Sequence, residues 1–263
     1  MSEDSFRFTI LASGSSGNCA LLEIGSEAFL VDAGLSGKKI GERLESLGRS
    51  LEEIRAVFLT HEHSDHTLGL PVLARRRKIP VYCNEATARA LQGELGDYEG
   101  WRFFETGSSF QVGSLSVVTF PVPHDAYEPV GFTFSNGKRT VGFLTDLGFA
   151  TKLVVERVRQ ADVLVLEANH DLELLKLDQK RPWSVKQRIL ARHGHLSNEA
   201  AAEVVGQIVT QKLTDLFLGH LSEDCNSHEL AEAAVQRKFN EMGVTHVRIH
   251  RTYSTQATPS LLL

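Results

Sequence analysis

The chain has 263 residues, of which 42% are hydrophobic and 23% charged, an ordinary globular composition long enough for one large core or two small domains. Its formal net charge of −5 argues against a generally basic nucleic-acid coat protein, though not against a local basic groove. The three cysteines, Cys19, Cys83 and Cys225, are odd in number and far apart, with no CxxC, which fits a reducing compartment and buried thiols rather than a disulfide framework.

The first residues, Met1 to Ser5, are acidic and carry neither a basic stretch nor an apolar core, so no signal peptide is expected. No apolar run approaches the length of a membrane span. Runs bounded by Gly and Ser predict strands at Phe8–Leu11, Ala20–Ile24 and Ala28–Val31. Ile40, Leu44, Leu47 and Leu51 follow helical spacing, with Gly48 as a stop. A strand at 56–60 precedes a helix from about Gly69 to Arg77, a strand at Val81–Cys83 and a helix near 85–92. The middle is rich in strands: Trp101–Phe104, Ser109–Val112, Leu115–Phe120, Val130–Phe134 and Thr140–Leu144. A helix near 150–159 leads to the apolar strand Val163–Leu166. Ala201, Val204, Val205, Ile208 and Val209 then mark an amphipathic helix. Strand Leu216–Leu218, a helix from near Ser227 and a strand at Val247–Ile249 complete the order. No stretch reads as a linker or repeat, so residues 1–263 are expected to form a single domain, with a loose tail from about 252 to 263. Wholly apolar strands are buried on both faces, which implies sheet packed on sheet with helices outside.

His61-Glu62-His63-Ser64-Asp65-His66 follows directly on the strand at 56–60 and places four ligand-type side chains within six residues. His61 and His63 are two apart, so an extended turn projects them to one side. Asp65 and His66 need a bend and then face a second point nearby. Two such points on one loop suggest two metal ions close together. Later strand exits carry further candidates: His124 after 115–120, Asp146 after 140–144 and His220 after 216–218. A sheet holds such loop positions rigidly.

These residues, in this order and over nearly the whole chain, resemble the metallo-β-lactamase-fold hydrolases. The resemblance implies a four-layer αββα sandwich of two mixed sheets with outer helices. It also implies one divalent ion on His61, His63 and His124, a second on Asp65, His66 and His220, and Asp146 bridging. Asp32 in Leu30-Val31-Asp32-Ala33-Gly34 looks like the family's early structural Asp, which supports the ligand loop. Nitrogen and oxygen donors without thiolate suit Zn²⁺ or Mn²⁺, with Fe as a further option. A hydroxide shared by two ions is a nucleophile at neutral pH, with Asp65 helping to orient it.

Ser13-Gly14-Ser15-Ser16-Gly17-Asn18, Glu167-Ala168-Asn169-His170-Asp171, Gly194-His195-Leu196-Ser197-Asn198 and Gly219-His220-Leu221-Ser222-Glu223-Asp224-Cys225-Asn226 resemble the YycJ/WalJ-like branch. That branch implies a cytoplasmic 5′→3′ DNA exonuclease. From the residues themselves, 176–195 holds Lys176, Lys180, Arg181, Lys186, Arg188 and Arg192 with Trp183 among them, which reads either as a strand-tracking groove or as a solvated helix face. Lys186, Arg188 and Arg192 are the groove candidates, and Arg75-Arg76-Arg77-Lys78 is a further basic run. The loop 13–18, with Ser13, Ser15 and Asn18, presents backbone N–H groups to a phosphate or else makes a tight turn beside the ligand loop. Ser197 and Asn198 open a helix, as a cap or a phosphate seat. Asn226 caps the next helix or reaches the site. Asn169 and His170 are expected as support for the ligands. His195 is expected to face substrate and give a proton to the leaving oxygen. DNA is thus the expected substrate. The rivals are a hydrolase of small esters, lactones, thioesters or cyclic phosphodiesters with a closed pocket, and a metal-bound regulatory or scaffold protein without turnover.

Overall fold

A computed structural model describes residues 5–263, apart from the Arg76 side chain. The stretch read for a signal peptide lies outside these residues except for Ser5, as does the Arg76 side chain of the basic run 75–78. Two mixed seven-stranded sheets pack face to face and are flanked by helices. The first holds β1 (Phe6–Ala12), β2 (Cys19–Ile24), β3 (Glu27–Val31), β4 (Ile54–Phe58), β5 (Val81–Cys83) and β6 (Trp101–Phe103). The second holds β7 (Ser109–Val112), β8 (Leu115–Pro121), β9 (Val130–Ser135), β10 (Thr140–Leu144), β11 (Val163–Glu167), β12 (Asp215–Gly219) and β13 (Arg248–Arg251). A final strand, β14 (Leu261–Leu262), returns to the first sheet beside β1. No helix among the described residues is long and apolar enough to cross a membrane.

The period-two alternation of the strands builds three apolar layers. In β11, Val163 and Val165 face the space between the sheets, while Leu164 and Leu166 face the helices. In β2, Ala20 and Leu22 join the central layer, and Cys19 and Leu21 the outer one. Aromatic rings fill the centre. Phe8 of the first sheet meets Phe217 of the second with ring centroids 5.3 Å apart, and Phe58 meets Phe134 at the same separation. Each such ring, fully buried, contributes roughly 1.5–3 kcal/mol. Apolar layers on both faces of both sheets are the αββα order expected from the sequence.

Some expectations shift. The loose tail is not found: Thr258 N–H donates to Ile10 O at 2.9 Å, and Leu262 pairs with Arg7. The tail closes the open edge of the first sheet, whose β1 would otherwise present unpaired backbone groups. The helix that starts at Gly37 ends at Ser46, and Leu51 sits in a separate 3-10 turn, because Gly48 at φ +72° breaks the run. The helix expected from Gly69 begins earlier, as a turn at Ser64–Thr67, and resumes as a π-helical stretch at Pro71–Arg76. Two unpredicted helices, Leu172–Leu177 and Trp183–Leu190, fill the basic segment.

Chain direction decides where the loops gather. β10, β11 and β12 run parallel, and β8 runs the same way because β9 is antiparallel to both β8 and β10. In the first sheet β3 and β4 are parallel. The carboxyl ends of these strands therefore share one edge of the sandwich. A bond from Val130 N–H to Thr60 O, 3.0 Å long, ties the two sheets there.

Candidate metal centre

Each exit at this edge delivers a polar side chain: Asp32 after β3, His61 after β4, His124 after β8, Asp146 after β10, Glu167 at the end of β11 and His220 after β12. Asp32, Asp146 and His220 have φ of +58°, +55° and +54°, the left-handed region. That costs an L-residue about 1–2 kcal/mol. The sharp bend turns each side chain back over the sheet edge. Gly34 serves the same loop by contact, since a Cβ there would lie 1.7 Å from the Asp65 carbonyl oxygen.

Three imidazoles converge first. His63 Nδ1 lies 3.1 Å from His61 Nε2 and 3.3 Å from His124 Nε2. An ion bound tetrahedrally at 2.0–2.1 Å spaces its nitrogen donors by about 3.3–3.4 Å. Asp65, His66 and His220 make a second group, with His220 Nε2 at 3.3 Å and His66 Nε2 at 3.6 Å from Asp65 Oδ2. Asp146 lies between the groups. Its Oδ2 is 3.1 Å from His66 Nε2, while its Oδ1 is 3.8 Å from His124 Nε2. That Oδ2 is buried and receives no aligned hydrogen bond among the described residues. A buried carboxylate oxygen without a donor, facing convergent ring nitrogens, fits a cation. The donor set of imidazole and carboxylate suits a divalent ion, and the residues present could hold it.

The far side of the His61, His66, His124 and His220 rings is fixed by a neighbour. Asp32 accepts from His66 Nδ1–H at 2.8 Å and from Thr60 N–H at 2.8 Å. Thr60 Oγ1 donates to Asp32 and accepts from His61 Nδ1–H at 3.0 Å. His124 Nδ1–H donates to Gly194 O at 3.2 Å. Each bond sets a tautomer that turns Nε2 toward the centre. Glu167, which the sequence reading gave no role, does this twice: its Oε1 accepts from Nδ1–H of both His195 and His220 at 2.7 Å. Its Oε2 accepts from Leu147 N–H and Leu196 N–H, each at 3.1 Å. The strand-exit pattern that marked His124, Asp146 and His220 also covers Glu167, which follows four apolar residues.

Charge follows this network. Burial opposes ionisation of Glu167, yet His195 and His220 outweigh it and hold the carboxyl down to about 2. Burial also opposes charge on His220, but Asp146, Asp65 and Glu167 raise it to about 10. His66 is raised well above the usual range by Asp146 and Asp32 against its burial. Burial and the neighbouring His66 keep His61 neutral, well below that range.

The remaining candidates divide. Ser15, Arg188 and His195 line a cavity of about 290 Å³ together with His63, Asp65, His124, Asp146 and His220. Ser13 and Asn18 turn inward: Ser13 Oγ accepts from His220 N–H at 2.8 Å, and Asn18 Oδ1 accepts from Gly14 N–H at 3.0 Å. Asn18 N–H also donates to Asp65 O at 2.8 Å, so loop 13–18 braces the ligand loop. Ser197 caps the helix Asn198–Ile208 through Ala200 N–H. Asn198 and Asn226 bond each other, at 2.8 and 2.9 Å, and Asn226 also holds Ala168 O, so neither reaches the cavity. Asn169 Nδ2 donates to His220 O at 2.9 Å, the expected support. The His170 ring does not contribute: neither nitrogen has a partner among the described residues, and burial pushes its pKa down to about 4. Its backbone carbonyl instead accepts from Asn198 N–H at 2.9 Å.

The basic groove is also corrected. Lys186 is buried, its ammonium held by the carbonyls of Lys176 and Asp178 at the end of the helix Leu172–Leu177. Lys176 pairs with Glu173, Lys180 with Asp224, Arg181 with Asp178 and Asp224, and Arg188 with Asp125. Arg192 lies 4.4 Å over the Phe149 ring.

Comparison with known proteins agrees with this geometry. Residues 27–214 match a family described as a Beta-lactamase superfamily domain. The chain is 39% identical to the exodeoxyribonuclease WalJ of Streptococcus pneumoniae, over 98% of each chain. It is 37% identical to the exodeoxyribonuclease YycJ of Bacillus anthracis, over 90% of each. The fold is similar to that of the metallo-beta-lactamase fold protein YhfI from Bacillus subtilis, with a TM-score of 0.74, 17% identity and 97% and 99% of the two chains covered. The chain belongs to the beta-lactamase superfamily, in the metallo-β-lactamase branch of the YycJ and WalJ exodeoxyribonucleases.

Proposed function

We propose that the chain is a binuclear metal-dependent phosphodiesterase that degrades DNA as an exonuclease in the cytoplasm, with 5′→3′ polarity as its branch implies. The observation that carries this reading is the convergence of two ligand groups, His61/His63/His124 and Asp65/His66/His220, on one cavity with Asp146 between them. Zn²⁺ and Mn²⁺ are the favoured ions, with Fe as a further option. Bound there, they would supply Lewis acidity toward a phosphoryl oxygen and acidify water near neutral pH. The chain's own groups do the rest. Asp65 is partly exposed to the cavity and accepts a hydrogen bond from an attacking water, orienting it. His195, whose Nδ1–H is spoken for by Glu167, offers Nε2 to the leaving oxygen and gives it a proton. Burial disfavours charge on His195, while Glu167 and Asp146 raise its pKa against that burial. The cavity of about 290 Å³ suits a chain end better than the middle of a duplex.

The experiment is incubation with DNA labelled at the 5′ or 3′ end, under Mn²⁺, Zn²⁺ or chelator. Metal-dependent release of mononucleotides, lost with chelator and starting at the 5′ end, supports the reading. A second reading, hydrolysis of a small cyclic phosphodiester, ester, lactone or thioester, is favoured by the small cavity and its paired rim cations. Intact DNA beside turnover of one of those compounds would establish it.

A further inference from the structure

Arg188 and Asp125 face each other at the cavity mouth. Arg188 Nε donates to Asp125 Oδ2. The two terminal amino groups of that guanidinium have no hydrogen-bond partner among the described residues. The free fork therefore opens onto solvent, on a side chain 66% exposed. Asp125 directly follows His124, and its Oδ1 lies 3.4 Å from His124 Nε2. The carboxylate thus joins the ligand loop of the second sheet to the helix Trp183–Leu190. That helix is fixed from behind by Lys186, whose ammonium binds the carbonyls of Lys176 and Asp178. One residue is anchored inward, and another, two positions on, lines the cavity.

A guanidinium held by Nε presents its remaining edge in a fixed plane, and that edge matches two phosphate oxygens. A surface Arg without such a partner would wander through many rotamers and lose much of that preference. The cavity wall otherwise brings carboxylates toward an anionic substrate: Asp65, Asp125 and Asp146 all line it. The Arg188 cation lines the same wall.

We infer that Arg188 is a phosphate clamp for the strand entering the metal centre, and that Asp125 is the positioning residue that aims it. The inference rests on the DNA reading above and specifies how the substrate backbone is held. It assigns to a carboxylate a favourable effect on binding a polyanion, which is the opposite of what its charge alone would do.

The test measures DNA KM, kcat and the salt dependence of binding for four variants of the full chain loaded with Mn²⁺. Arg188→Gln should raise KM roughly tenfold and reduce the salt slope by about one counterion, with metal content unchanged. Arg188→Lys keeps the charge and should still raise KM several-fold, with the slope near wild type. Asp125→Ala should raise KM about threefold to tenfold while kcat and metal content stay near wild type. In the Arg188→Gln background the same Asp125→Ala change should do nothing. Thermal melts confirm that each variant folds. A fall in KM for Asp125→Ala would make the carboxylate a repelling charge only and overturn the inference. So would unchanged KM and slope for Arg188→Gln, or metal loss in Asp125→Ala, which would make Asp125 a ligand. Wild-type protein that leaves DNA intact would overturn the nuclease reading itself and the clamp with it.

Discussion

The strand-exit edge and the helical segment 171–193 sit on opposite sides of one cavity and are built in opposite ways. At the edge, His61, His66, His124, Asp146 and His220 are all buried, and each ring has a partner that fixes its far nitrogen. In the helical segment most side chains are exposed, and the cations find carboxylates from nearby chain: Glu173, Asp178, Asp224 and Asp125. Exposed pairs of this kind add little to stability, because water and salt screen them. Chemistry that needs fixed geometry resides where folding has already ordered the groups. The helical segment supplies a rim whose charge is largely cancelled and whose single aimed cation matters more than their number.

If that contrast is right, damage at the edge and damage at the rim should differ in kind. The largest effect is expected for Asp146→Ala, which removes the carboxylate placed between the two ligand groups. Its kcat should fall by roughly three orders of magnitude or more, with reduced metal content by elemental analysis. Near-normal occupancy and turnover would remove Asp146 as the bridge.

Glu167→Gln comes next and separates support from chemistry. One oxygen now orders two imidazoles, so metal affinity should weaken by about 10–100-fold and kcat should fall as well. His195→Ala should instead lower kcat by about 10²-fold while metal affinity stays near wild type. Chelator competition and steady-state kinetics on the pair would show which function each residue serves. If both variants lose metal equally, His195 is a ligand and not a proton donor.

The smallest effect on catalysis is expected at the rim. Lys186→Met should destabilise the chain by about 1–3 kcal/mol, by removing the charged donor from the Lys176 and Asp178 carbonyls, and leave the salt slope for DNA unchanged. A reduced slope in denaturant-free binding would return Lys186 to the phosphate groove.

Much of the edge was legible in the sequence because local rules write it. Apolar runs of five or so residues specify strands buried on both faces, and a polar residue just past such a run must lie at a sheet end. That logic found His61, His124, Asp146 and His220. Applied to acids other than Asp, it would have found Glu167, which ends Val163–Leu166. The partners of Asp32 and Ser13 were harder, since their bonds to His66 and to His220 N–H span 34 and 207 residues. The rim was not legible for a different reason. The helix Trp183–Leu190 buries only Lys186, so it has no apolar period to detect, and a run of cations cannot reveal which acids neutralise it. The C-terminal strand escaped because two residues, Leu261 and Leu262, carry too short a pattern to read, although their pairing with β1 fixes them.

The binuclear assignment is tested most directly by anomalous diffraction from crystals grown with Zn²⁺ or Mn²⁺, recorded on both sides of the metal absorption edge. Two peaks per chain are expected, one against His61, His63 and His124, the other against Asp65, His66 and His220, with Asp146 touching both. A single peak, or peaks away from these side chains, would contradict it.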